Sequence, residues 1–305
     1  MRSVSTRSLA VLGFVAAGLA VVLAAMLVTI TSSGEAVPPG APVAAETTTQ
    51  PPSTKSTTPA ATSSVPSSTT LTPAPPRLGG WPAAEASVTV GATIHVTGPL
   101  DGGMKRYSGT GALGDGGQSE DQGPVFELAN GAALENVILG APAADGVHCL
   151  GSCLLRNVWW EDVGEDAATL KGTSPSQVMT IDGGGARSAS DKVFQHNGPG
   201  TVIIRNFQVS GIAKLYRSCG NCGTQYQRHV VVQNVTVTAP AKTLVGINPN
   251  YGDTAELSGI TISGDSGRKI AICEKYQGVT GGEPAKIGSG ADANCRYTPA
   301  DLAYR

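Results

Sequence analysis

The sequence predicts an all-β solenoid, a parallel β-helix, and three observations carry that expectation. The C-terminal three-quarters of the chain lack any long stretch with helical apolar spacing. They hold instead many short β-branched runs separated by Gly, Asn, Asp and Ser clusters. A unit also recurs: LENVIL at 134–139, LRNVWW at 155–160, IIRNFQV at 203–209 and VVQNVTV at 231–237, with ELSGITI at 256–262 as a degenerate copy. Asn136, Asn157, Asn206 and Asn234 hold the same place in each unit, 21, 49 and 28 residues apart, and the 178–181 run divides the longest interval into two turns. One coil per roughly 20–28 residues fits a parallel β-helix better than a β-sandwich, whose strands need share no coil-length repeat.

The 305 residues are not uniformly globular. Residues 1–8 carry Arg2 and Arg7 and no acid, and residues 9–30 run 22 positions without a charge. A basic stretch followed by an apolar one directs the chain to a membrane, as a signal peptide or, given the length of the apolar run, as a signal anchor. Small-residue sites for cleavage occur at Gly34-Glu35-Ala36 and Val43-Ala44-Ala45. From Thr47 to Pro76, 23 of 30 residues are Ser, Thr or Pro and Lys55 is the only charge, a composition too polar to offset ordering entropy. The expected division is a leader over 1–36, an extended linker over 37–76 and a single folded domain over 77–305. Secretion follows if the leader is cleaved; otherwise the domain is tethered outside the cytoplasm, touching a membrane only through the leader.

Strands are expected at 88–90, 93–96, 125–128, 137–139, 158–160, 178–181, 202–204, 207–209, 230–232, 235–237 and 259–262. The repeated Asn suits a corner between two sheets, where its amide bonds to the coil above and below while its backbone tolerates the bend. Six cysteines in an exported chain point to disulfides, and proximity suggests 149–153, 219–222 and 273–295 among fifteen possible connectivities. Zinc held by the closely spaced pairs is the rival reading.

The formal net charge is −2 with no basic stripe, which excludes the electrostatic footprint of a nucleic-acid binder. Acids concentrate in AADGVHCLGSCLLRNVWWEDVGEDAATLKG, and Asp145 and Glu165 are 20 apart. One turn of the solenoid sets Asp145 beside Glu165 and Asp166, a hard oxygen cluster of the kind that binds Ca2+, with Glu161, Asp162 and Asp191 as accessory candidates. Basic residues recur on later coils: Lys171, Lys192, then Lys214 and Arg217 in a short turn beside the 219–222 pair. Acids, metal and bases on one face make a site for an anionic polymer.

The runs LGDGGQSEDQGPVFEL, NVILGAPAADGVHC, NVWWEDVGEDAATLKG, DKVFQHNG and KLYRSCGNC, in that order, resemble the compact pectate lyases of polysaccharide lyase family 3. The resemblance is dense from 109 to 222 and looser beyond. It implies a right-handed parallel β-helix, a calcium cofactor and eliminative cleavage of α-1,4-linked polygalacturonate, or de-esterified pectin, to unsaturated oligogalacturonides. It further implies that Asp145, Glu165 and Asp166 hold the calcium, that Lys171, Lys192 and Lys214 contact the sugar acid, and that Arg217 is the base, with Lys192 and Lys214 assisting catalysis. A monomer is expected.

His148 and His196 are read as polar groups satisfied within a coil, and one of Trp159 and Trp160 as core with the other outward. A hydrolase of the same polymer would need carboxylic acids as acid and base rather than lysines beside a metal. A non-catalytic polysaccharide-binding solenoid is the reading from another class, and the full set of Lys171, Lys192, Lys214 and Arg217 argues against it.

Overall fold

A computed structural model describes residues 80–305; the leader, the linker and the boundary at 77 lie outside the described residues. The chain winds as a parallel β-helix whose coils each visit three sheets in the same order. The first sheet stacks residues 99–101, 133–135, 153–156, 179–182, 202–205, 230–233, 255–258 and 295–296. The second stacks 87–90, 105–109, 137–139, 158–160, 184–186, 208–210, 235–238, 260–263 and 302–304. The third stacks 94–96, 126–128, 147–149, 168–170, 194–196, 216–218, 245–247 and 273–275. Long strands such as Val178–His196, Gly200–Ser218 and Arg228–Ile247 bend through the corners and contribute to all three.

The corner between first and second sheets explains the repeated asparagine. Asn136, Asn157, Asn206 and Asn234 all have φ near +53°, the left-handed conformation that asparagine tolerates better than most side chains. Asn157 Nδ2 donates to Asn136 Oδ1 at 2.8 Å and Asn234 Nδ2 to Asn206 Oδ1 at 2.7 Å. In the coil where the sequence unit fails, Gly183 supplies the positive φ and Asp182 accepts from Asn206 Nδ2 at 2.7 Å. That coil thus meets the rung above through Asp182, while Asn157 Oδ1 on the rung below accepts from Trp159 Nε1 at 2.8 Å.

Inside, Leu134, Leu155, Ile181, Ile204, Val232 and Leu257 stack in register along the first sheet, all buried. Each such side chain contributes roughly 1.5–3 kcal/mol of transfer free energy. Trp160, Phe194 and Phe207 form an edge-packed aromatic cluster within the same core. Trp159 points outward as alternation requires, and Trp81 packs on its edge at 5.2 Å with Arg187 over the Trp81 ring. That contact fastens the start of the described chain to the barrel wall and covers the outward tryptophan.

All six cysteines form the disulfides that proximity suggested, Cys149–Cys153, Cys219–Cys222 and Cys273–Cys295, leaving no thiols for zinc. One expectation needs correction, and two short strands of the third sheet fall outside the expected set. Residues 147–149 and 168–170 are strands, although Val-His-Cys and Ala-Thr-Leu carry no alternation because all six residues are buried. Lys214 and Arg217 stand within the strand Gly200–Ser218 and not in a turn. The inward Tyr216 stacks on Phe194 beneath them, which makes this polar segment a rung of the third sheet.

Candidate active site

The corner between second and third sheets and the outer surface of the third sheet bring together the residues singled out from the sequence. Stepping two residues back from the stacked Val147, Ala168 and Phe194 places Asp145, Asp166 and Lys192 on successive coils, and Lys214 registers on Lys192. Two acids are thus followed by two lysines in one column. Beside it, along the third sheet, the outward residues Glu127, His148, Thr169, Gln195, Arg217, Gly246 and Glu274 form a second column.

Asp145, Glu165 and Asp166 are all buried, and each has a carboxylate oxygen within 4.8 Å of the others. Glu165 is drawn in because its backbone N–H donates to the carbonyl of Ala144 at 3.0 Å across the coil. His148 Nε2 lies 2.6 Å from Asp145 Oδ2, and Thr169 Oγ1 donates to Asp166 Oδ2 at 3.1 Å, so each aspartate is oriented by the outward residue three positions on. The remaining oxygens, Asp145 Oδ1 and Asp166 Oδ1, are buried without a hydrogen-bond partner. Burial holds the Asp166 carboxyl well above the usual carboxylate range; Lys192 opposes that shift, while Glu165 and Asp145 add to it. Orphaned hard oxygens in a cluster of like charge fit a divalent cation with oxygen ligands.

Lys192 bridges the two halves of the site. Its Nζ lies 3.0 Å from Glu165 Oε1, 3.7 Å from Asp166 Oδ1 and 3.0 Å from Asp191 Oδ2. Burial would lower the Lys192 pKa, but these three carboxylates raise it above its ordinary value, so the ammonium stays charged. Lys214 Nζ holds the other oxygen of Asp191 at 2.9 Å, and Lys171 Nζ stands 4.0 Å from Asp145 Oδ2. Of the accessory acids, Glu161 is turned away into a two-pronged pair with Arg106 at 2.6 and 2.9 Å, and Asp191 serves the lysines. Burial raises the Asp162 carboxyl, and the residue stands outside the group of three acids.

Arg217 lies on the floor of an open groove of about 270 Å³ with Lys192, Lys214, Gln195, Asn221 and Tyr276 around it. Its guanidinium is buried. Nη1 donates to the carbonyl of Ser218 at 2.7 Å and to Asn248 Oδ1 at 2.9 Å, and Cζ sits 4.1 Å above the Tyr276 ring. Nη2 is buried with no hydrogen-bond partner. Burial pulls the guanidinium below its ordinary pKa; Tyr276, Tyr216 and Asp253 oppose that pull and Arg228 assists it. Among the described residues Arg217 has no ion pair with a carboxylate, and an arginine so placed beside two lysines suits an anionic ligand.

The histidines stand apart from this floor. His196 is inside the coil with Nδ1 2.8 Å from the Tyr216 hydroxyl, and burial pushes its pKa down to about 3. Four groups escaped the sequence reading: Asn248, Tyr276, Gly246 and the His148 contact to Asp145. Asn248 and Tyr276 reach the site from coils well downstream, and only His148, beside Asp145 in DGVHC, left a local signal.

Comparisons with known proteins agree with one another. The sequence profile of the family described as Pectate lyase matches residues 78–283. Pectate lyase H of Emericella nidulans is 48% identical over 224 residues, covering 71% of this chain and 82% of that protein. A probable pectate lyase E of Neosartorya fischeri is 48% identical over 220 residues, covering 71% and 83%. Among solved structures, the catalytic domain of a pectate lyase from Erwinia chrysanthemi superposes with a TM-score of 0.62 at 33% identity, over 72% of this chain and all of that one. The same Erwinia chrysanthemi enzyme in complex with tetragalacturonic acid gives 0.62 at 34% identity, over 71% and 70%. With the coil architecture, the acid cluster and the lysine–arginine groove already in hand, these likenesses establish that the chain belongs to the pectate lyase family.

Proposed function

We propose that this lyase cleaves α-1,4-linked polygalacturonate by calcium-dependent β-elimination, with Arg217 as the base, Lys171, Lys192 and Lys214 as the carboxylate-binding groups, and Asp145, Glu165 and Asp166 as the calcium ligands. One observation carries the reading: acids and lysines succeed one another in a single column beside a buried arginine that has no ion pair with a carboxylate among the described residues. Calcium bound at the acids would neutralise their shared charge and draw off the negative charge that builds on the uronate carboxyl group as C5 loses its proton.

The chain's own residues account for the rest. Lys192 and Lys214 already grip one carboxylate, Asp191, at 3.0 and 2.9 Å, so the pair has the spacing to receive a uronate in its place. Arg217 takes the proton from C5; the C5–H electrons form the C4–C5 double bond, the C4–O bond breaks, and the departing oxygen is protonated from water. The very high ordinary pKa of an arginine makes the neutral base scarce in water. Burial and Arg228 favour the neutral form, and the groups that accept from Nη1 are a carbonyl and an amide oxygen rather than a carboxylate. Residues 1–36 would export the chain and 37–76 would space the monomeric catalytic domain from whatever retains it, giving a secreted enzyme or, with the leader uncleaved, a tethered one.

The test is absorbance from unsaturated uronates when the full chain meets polygalacturonate, with calcium present and then chelated. Growth that chelation abolishes is expected. Binding of the polymer without unsaturated product would replace the lyase reading with a binding module. For the base itself, Arg217→Lys should lower turnover and change its pH profile; an unchanged profile at full rate removes Arg217 from that role.

A further inference from the structure

Arg217 is held by a device that none of the roles above includes. Gly246 follows Arg217 in the outward column of the third sheet, one coil on. A Cβ at 246 would stand 2.9 Å from Arg217 Cδ and 3.3 Å from the Tyr276 ring. The missing side chain lets the arginine stem lie flat and the tyrosine close over it. Two residues later, Asn248 is fully buried and accepts from Arg217 Nη1 at 2.9 Å. The amide is fixed from both ends: Nδ2 donates to the carbonyl of Cys219 at 3.0 Å, and the backbone N–H donates to Asp253 Oδ2 at 2.9 Å.

The charges around this point are arranged with a purpose that chemistry explains. Asp253 is fully buried and lies next in the chain of contacts, yet its oxygens go to the backbone N–H groups of Asn248 and Arg228, both at 2.9 Å. An uncharged amide thus stands between the aspartate and the arginine. Beneath Arg217, Tyr216 bonds to His196 and Ser218, while Arg228 serves the carbonyls of Asn197, Gly198 and Cys219. Above it Tyr276 donates to Glu274 Oε2 at 2.6 Å, and Glu274 also pairs with Lys286. Around the groove stand Lys192, Lys214, Asp191, Glu120 and Glu283, and among the described residues none of these carboxylates forms an ion pair with Arg217.

We propose that Asn248 is the positioning residue of Arg217: its neutral oxygen, with Gly246 leaving room for the stem, fixes Nη1, leaves Nη2 uncommitted and keeps the buried Asp253 carboxylate one residue away from the guanidinium. The proposal rests on the reading of Arg217 as base. A carboxylate at 248 would hold the arginine in its charged form, and a shorter side chain would let it swing, so asparagine meets both needs.

The experiment compares Asn248→Asp, Asn248→Ala, Arg217→Lys and Arg217→Lys/Asn248→Ala in the full chain with calcium, reading kcat, KM and the pH profile on polygalacturonate. Asn248→Asp should move the acid limb of kcat/KM up by about one pH unit and lower kcat at neutral pH about tenfold, while KM changes less than about threefold. Asn248→Ala should lower kcat about tenfold, and that loss should vanish in the Arg217→Lys background. An unmoved acid limb, or an equal Asn248→Ala loss in both backgrounds, overturns the proposal and leaves the base reading standing. Full activity of Arg217→Lys overturns the base reading instead. Should the Asn248 variants fail to fold, NMR of the wild-type guanidinium decides: slow rotation and slow hydrogen exchange at Arg217 Nη1 support the clamp, and exchange as fast as that of the exposed Arg296 overturns it.

Discussion

Two corners of the same coil are built on opposite rules. Where the first sheet meets the second, four coils present the same neutral group: Asn136, Asn157, Asn206 and Asn234, all left-handed and bonded in two neighbouring pairs. Where the second meets the third, no coil repeats its neighbour's group for long: Asp145 and Asp166 give way to Lys192 and Lys214. The first corner is redundant, so losing a rung costs stability locally. The second has no spare parts, since its charges pair with one another within and between coils and none is duplicated.

That contrast is open to attack at both corners. The largest effect is expected at the charged one. Asp166→Asn should lower lyase activity about 10²-fold or more, as removal of a transition-state electrostatic group does. The same change should raise the melting temperature in chelator, because it relieves a buried carboxyl crowded by Glu165 and Asp145. Activity and thermal melting of one preparation check both halves.

A smaller effect concerns the lumen under the third sheet, and it depends on pH. The pKa of His196 is about 3 when folded against an ordinary 6.5, because burial and Arg228 disfavour its cation. Below pH 6.5 the unfolded chain binds a proton that the folded chain refuses. The stability from a neutral His196 is therefore complete above that pH and drains away as pH falls toward 3, by up to about 1.4 kcal/mol per pH unit. Urea titrations at pH 7, 6 and 5 should show wild type losing stability faster than His196→Gln; parallel curves would contradict it.

At the asparagine corner, Asn157→Ala should cost about 1–2 kcal/mol, combining a left-handed alanine with a lost rung, and leave kcat unchanged. Asn157→Gly should cost less because the backbone penalty disappears. A drop in kcat at constant stability would show that the two corners are coupled. The smallest change is expected from Arg187→Ala, which removes the cation from the Trp81 ring and should cost about 0.5–1 kcal/mol with no effect on turnover.

The same contrast decides what could be read from the sequence. The asparagine corner was legible because one backbone need, a left-handed turn with a ladder amide, recurs and selects one residue type. The acids were legible through their spacing: Asp145, Glu165 and Asp166 fall one coil apart and do converge. The third sheet was poorly legible, since its rungs at 147–149 and 168–170 are three residues long and buried throughout, which erases alternation. Farther along, its inward positions are His196 and Ser218, polar residues that read as loop until their partner Tyr216 is seen beneath the groove. Asn248 left no trace in its local sequence because its role is defined by Arg217, a full coil earlier.

An antiparallel hairpin ends the third sheet among the described residues. Strand edges recruit further strands, and a stack of parallel coils presents a ready template for end-to-end fibres. Here the rung after Ala271–Gln277 is Ala285–Ser289, and it runs antiparallel. A second copy arriving at that end of the third sheet, whose outer surface carries Arg217, meets a strand pointing the wrong way to continue the parallel ladder.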